Sequence, residues 1–159
     1  MSAIDAMLEH ARSSHRLTTS PGKHPGRHVA VVACMDTRID LYAIFGLAVG
    51  DVHIIRNAGG IVTDDVVRSL AISQRSLGTR EVLLVHHSGC GLQGLTDDDF
   101  ATLVPGAPPL DTGGFDNVEE DLRRCVHVLR SSPYLAHVEE IRAVVYDVTD
   151  GTVREVDPG

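Results

Sequence analysis

Three residues in this chain have the chemistry and spacing to hold one metal ion: Cys34, His87 and Cys90. Thiolate, imidazole and carboxylate are the zinc-binding side chains, usually arranged as four ligands in a tetrahedron. His87 and Cys90 stand three apart in His87-Ser88-Gly89-Cys90-Gly91, where Gly89 permits a turn tight enough for both to face one ion. Cys34 opens a second cluster, Cys34-Met35-Asp36-Thr37-Arg38. Two Cys and one His leave a fourth position for water or for Asp36. Structural zinc sites are usually closed by four Cys or His ligands. The remaining thiol, Cys125, falls on the inward face of a helix and reads as core. An open, catalytic zinc is therefore expected. His86 is not expected to be a ligand, since on a strand it faces away from His87.

The elements that must position these residues follow from the pattern. Val29–Ala33 is a continuous apolar run ending at Cys34 and reads as a buried parallel strand. Val52–Ile55 and Glu81–His86 are further strands, leading to Arg56 and His87. Thr63 caps an amphipathic helix stopped by Gly78, with Asp64 and Asp65 favouring its dipole. A short helix is expected over Ile39–Phe45, one after Thr96, and a long one over Asp116–Arg130. Ile141–Val148 is a fourth strand. Asp150-Gly151 signals a hairpin into an antiparallel edge strand, Thr152–Val156. Alternating strands and helices predict an α/β domain with a mainly parallel sheet flanked by helices. In such sheets ligands sit at the carboxyl ends of the strands, where Cys34, Arg56 and His87 all fall.

Composition bounds the rest. The 159 residues make one domain, 1–159, with an N-terminal arm over 1–20 whose helix, Ile4–Arg12, carries Ile4, Met7, Leu8 and Ala11 on one face. A net charge of −8 disfavours nucleic acid as a partner. No apolar run is long enough to span a membrane, and Met1–Ser20 lacks a signal-peptide core, so a cytoplasmic location is expected. A nucleotide-binding reading fails, because no glycine-rich loop follows the first strand.

These residues resemble the β-class carbonic anhydrases. The resemblance rests on Cys34-x-Asp36-x-Arg38, on Arg56-Asn57-Ala58-Gly59 and on His87-x-x-Cys90-Gly91, in that order, and runs from about His28 to Val156. It is greatest to short bacterial and mycobacterial members. It implies one zinc per subunit held by Cys34, His87 and Cys90, and a catalytic dyad of Asp36 and Arg38. It further implies reversible hydration of carbon dioxide to bicarbonate and a proton by zinc-bound hydroxide, and a strand order of 2-1-3-4 plus the edge strand. A homodimer or higher homo-oligomer, with its arm embracing the partner, is implied as well. Gly59 and Gly60 are weaker candidates for substrate contact. Asp36 is expected to be held off the metal by Arg38, and to become the fourth ligand in a closed state. Two thiolates acidify water less than imidazoles do, so activity should favour alkaline pH. Thr37 stands where Ser is usual, Ser88-Gly89 where Thr-Asp is commoner, and the chain has no Trp. Two other functions share the ligand motif: hydrolysis of carbon disulfide or carbonyl sulfide, and non-catalytic zinc binding. Asp36 and Arg38 argue against the second.

Overall fold

The computed structural model describes residues 2–13 and 21–159; the expected arm therefore lies in part, at Met1 and 14–20, outside the described residues. Five strands form one sheet in the order β2-β1-β3-β4-β5. They are β1 (Val29–Cys34), β2 (Val52–Asn57), β3 (Glu81–His87), β4 (Ile141–Tyr146) and β5 (Val153–Val156). The first four pair in parallel and β5 pairs antiparallel with β4, as the hairpin signal required.

Alternation along the central strands splits the core in two. Val32, Leu84 and Val145 face α3 (Asp64–Leu77) and α5 (Val118–Arg130), packing with Leu70, Leu122, Val126 and Leu129. Val31, Ala33, Val85 and Val144 face the other way, with Ile39 and Leu41 at the start of α2 (Leu41–Phe45). The remaining α-helices among the described residues are α1 (Ala3–Ser13), which buries none of its residues, and α4 (Asp97–Leu103).

Caps explain where helices begin. The Asn117 side chain accepts from the Glu119 and Glu120 amides, so α5 starts at Val118, two residues later than expected. Asp40 does the same for α2, and Gly46 closes it with φ 59. Strand β4 ends at Tyr146 rather than Val148 because the Asp147 carboxylate turns the chain, accepting from the Thr149 amide and the Ser88 hydroxyl. Strand β2 runs on to Asn57, because its parallel pairing with β1 continues to Cys34. The inward face of α3 is more polar than its apolar periodicity suggests. Ser73 bonds His53 and Thr79, and the Gln74 amide bonds His137 and Ala136, while Leu77 is only half-buried.

On the α5 side of β3, His86 donates from Nε2 to the buried Asp121 carboxylate at 2.7 Å, and Arg124 donates to the same carboxylate. Burial pushes the Asp121 carboxyl up, but the His86 and Arg124 hydrogen bonds and charges outweigh it and hold it below the ordinary value. A depressed folded value means the stabilisation is present above the unfolded carboxyl's range, near pH ~4, and is lost as pH falls through the folded value. Asp121→Asn should therefore cost about 1–3 kcal/mol at neutral pH. In urea melts the gap between wild type and variant should narrow at acid pH; a gap that widens there would contradict the account.

Candidate metal centre

The carboxyl ends of β1, β2 and β3 meet on one rim, in register: Cys34 lies opposite Asn57, and Ala33 is flanked by Arg56 and Val85. Cys34 is the last residue of β1, His87 the last of β3, and Cys90 follows in the turn that Gly89 makes with φ 64. The structure thus brings the three expected ligands together, all buried, with their donor atoms within 4.8 Å of one another. The two sulfurs stand 4.0 Å apart. That is too far for a disulfide, at ~2.0 Å, and close to the ~3.8 Å set by two Zn–S bonds at a tetrahedral angle.

His87 is already turned into a ligand. Its Nδ1 donates to the Ser88 carbonyl at 3.0 Å, leaving the lone pair on Nε2. Nε2 is buried and has no hydrogen-bond partner. Burial lowers the imidazole's pKa, which favours the neutral form a metal needs. Burial also raises the Cys90 thiol, so a metal must displace its proton on binding. A soft donor set, sulfur spacing suited to tetrahedral bonds and an orphaned imidazole nitrogen together fit zinc.

Beside this cluster lies Asp36. Its Oδ2 is 3.8 Å from His87 Nε2, beyond hydrogen-bond length. The carboxylate is instead gripped by Arg38, through Nε to Oδ1 at 2.9 Å and Nη2 to Oδ2 at 2.6 Å, and by the Arg38 amide at 2.9 Å. Arg38 is anchored in turn on the Gly89 carbonyl at 3.0 Å, tying the dyad to the His87–Cys90 turn. The Arg38 side-chain bonds first, and its amide second, hold the Asp36 carboxyl far below the ordinary range. Asp36 is therefore ionised, with both of its oxygens bonded to Arg38. Ser88, in turn, is pinned by its hydroxyl between Asp147 and the Val148 amide.

Gly60 is required by space. Its φ is 69, and a Cβ there would lie 2.6 Å from the Cys34 amide nitrogen. Gly59 would meet Leu92 at 2.7 Å. Gly60 thus sets how closely the turn after β2 approaches Cys34, and Gly59 how closely it approaches Leu92. Sequence reasoning left Arg56 without a role. The structure shows it bonding three carbonyls of the turn after β1, a task its place at a strand end hints at and only coordinates reveal.

A second group with metal-binding donors, His86, Asp121 and Cys125, lies on the opposite face of the sheet. Its Asp121 is engaged by Arg124, and burial pushes its Cys125 thiol up to about 12. A cavity of ≈ 810 Å³ opens between the N-termini of α3 and α5, lined by Thr63, Asp64, Asn117, Glu120 and Arg124. None of the three expected ligands lines it, so the chemistry sits elsewhere.

Known proteins match most of this chain. The family model described as carbonic anhydrase matches residues 29–102. "Beta-carbonic anhydrase 1" of Mycobacterium tuberculosis is 44% identical over 138 residues, covering 84% of this chain and 85% of that protein. A carbonic anhydrase crystal structure from Streptococcus mutans superposes with a TM-score of 0.90 at 39% identity, covering 99% of each chain. A "carbon disulfide hydrolase" of Acidithiobacillus thiooxidans is more distant, 29% identical over 170 residues, covering 89% of this chain and 78% of that protein.

Replacing Cys34 with Ala should remove bound zinc, measured by elemental analysis of the purified protein, while the far-ultraviolet circular dichroism stays unchanged. Retention of stoichiometric zinc in that variant would rule out the ligand set.

Proposed function

The chain belongs to the β-carbonic anhydrase family and is a carbonic anhydrase, and we propose that it hydrates carbon dioxide at one zinc per subunit held by Cys34, His87 and Cys90. The observation that carries this reading is the ionised Asp36, held by two side-chain bonds to Arg38 and lying 3.8 Å from the unpartnered His87 Nε2. Zinc bound there supplies a Lewis acid that makes a water nucleophilic near neutral to alkaline pH.

The chain's own residues do the rest. Asp36 accepts a hydrogen bond from the attacking water and turns its lone pair toward the carbon of carbon dioxide. Arg38 keeps Asp36 from taking the fourth ligand position itself, so two states are available and only the one seen here reacts. Gly60, pressed against the Cys34 backbone, leaves room for that ligand turn, and Gly59 and Gly60 stand as candidates for substrate contact. Hydrolysis of carbon disulfide or carbonyl sulfide would use the same ligands; the greater identity and coverage of the mycobacterial carbonic anhydrase favour carbon dioxide.

No described helix is long and apolar enough to cross a membrane, and a cytoplasmic protein is proposed. A homodimer or larger assembly is proposed as well. It is supported by α1, which presents Ile4 at 67%, Met7 at 71% and Leu8 at 47% exposure, an apolar stripe suited to a partner subunit. Met7→Glu should shift the sedimentation coefficient toward a smaller species; an unchanged value would refute this role for the arm.

Stopped-flow hydration across pH, with zinc measured on the same sample, tests the activity. Hydration should rise toward alkaline pH, and full zinc with no hydration there would sink the reading. Asp36→Asn and Arg38→Ala should each lower hydration about 10²-fold while zinc is kept. Parallel loss of zinc and rate in both variants would overturn the division of roles.

A further inference from the structure

The turn that leaves β1 at Cys34 and runs to Ile39 carries a metal ligand and both members of the dyad, yet from Met35 onward it belongs to no strand or helix. Its backbone bonds are few: the Met35 amide donates to Asn57, and the Ile39 amide to Asp36. Met35 projects from it at 64% exposure. Its ends, Cys34 and Ile39, are buried and Arg38 ties the Asp36 side chain, but these few bonds leave most of the backbone between them unsecured.

Arg56 secures it. It sits next to last on β2, opposite Ala33. Its Nε donates to the Cys34 carbonyl at 2.9 Å, Nη2 to the Asp36 carbonyl at 2.7 Å and Nη1 to the Ile39 carbonyl at 3.1 Å. One rigid fork thus bonds the first residue, the middle and the last residue of the turn. Among the described residues it makes no ion pair with a carboxylate, so its donors are committed to these carbonyls. Only a planar guanidinium presents donors in several fixed directions; an ammonium is a point charge on a flexible stem.

We propose that Arg56 is a positioning residue: it holds the Cys34–Ile39 turn in the shape that keeps the Asp36 carboxylate on Arg38 and off the metal. The inference rests on the metal-centre reading above. It adds a division of labour between two arginines. Arg38 grips the side chain of Asp36, and Arg56 grips the backbone beneath it. Removing the second grip lets the Asp36 backbone rotate, and 3.8 Å separates Oδ2 from the nearest ligand atom of His87.

The test compares Arg56→Lys and Arg56→Gln with wild type in three measurements. The first is amide hydrogen exchange on the metal-free protein. The Arg38 and Ile39 amides, bonded to Asp36 Oδ1 and the Asp36 carbonyl, should exchange faster in both variants while core amides such as Leu84 keep their protection. The second is the visible spectrum of the cobalt-substituted protein. It should change in both variants, and adding Asp36→Asn should restore it, because the carboxylate that moves is then gone. The third is hydration, where kcat/KM should fall about 10²-fold with zinc content intact.

Lysine separates positioning from charge: a rate restored by Arg56→Lys would mean that Arg56 acts through its charge, and would overturn the proposal. Unchanged exchange and an unchanged cobalt spectrum would overturn it too, as would loss of zinc from both variants. Failure of the functional reading looks different, because wild type itself would then show no hydration while the exchange result on metal-free protein still stands.

Discussion

A buried imidazole nitrogen aimed between two thiols is the constraint around which this molecule is arranged. Leaving a buried acceptor without a partner costs about 1–3 kcal/mol, and His87 Nε2 is such an atom. The fold could have avoided the cost by turning the ring. It does not, because Nδ1 is tied to the Ser88 carbonyl, and Ser88 is tied in turn to Asp147 and Val148. Sulfur contributes the other two corners, brought within 4.0 Å of each other by the ends of β1 and the turn after β3. A metal ion would relieve the imidazole's cost, and would displace the raised Cys90 thiol proton in the same step.

Around that point, charge is placed to leave one side open. A carboxylate near a bound cation tends to become its ligand. Here Asp36 is 3.8 Å from the imidazole and yet directed elsewhere, since Arg38 offers it a planar pair of donors and a backbone amide. Arg38 is itself held by Gly89, inside the turn that delivers Cys90. Ligand turn and dyad are therefore one mechanical unit. The short, bidentate geometry gives Asp36 a stronger interaction than an ordinary surface ion pair.

Much of this was legible in the sequence because parallel α/β architecture converts pattern into place. Apolar runs ending at Cys34 and before His87, and the polar residues following them, were enough to put the ligands on one rim. The order of the strands came from resemblance, since periodicity does not say which parallel strand neighbours which. Boundaries moved by a residue or two where side-chain caps decided them, as with Asn117 at α5 and Asp147 after β4. Two features were beyond reach. The three carbonyl contacts of Arg56 depend on the path of an irregular turn, which has no periodicity to read. The buried polar face of α3 depends on partners as distant as His137, 63 residues along the chain from Gln74.

Neighbouring histidines on β3 show why donor type alone does not define a metal site. Alternation sends His86 to the α5 face and His87 to the rim. Each meets a cysteine and has an aspartate near it. On the α5 face the carboxylate is already saturated: His86 donates to Oδ2, Arg124 to Oδ1, and the Cys125 thiol, pushed up to about 12 by burial, points its own proton at Oδ2. A metal there would have to displace all of these donors and deprotonate a thiol that burial has pushed well above a free one. On the rim the carboxylate is bonded to an arginine instead, and its Oδ2 stays 3.8 Å from the imidazole nitrogen, beyond hydrogen-bond length. That single difference leaves His87 Nε2 facing two sulfurs with nothing else to bond. It leaves one of two chemically similar clusters able to hold a metal and the other as a buried polar brace for α5.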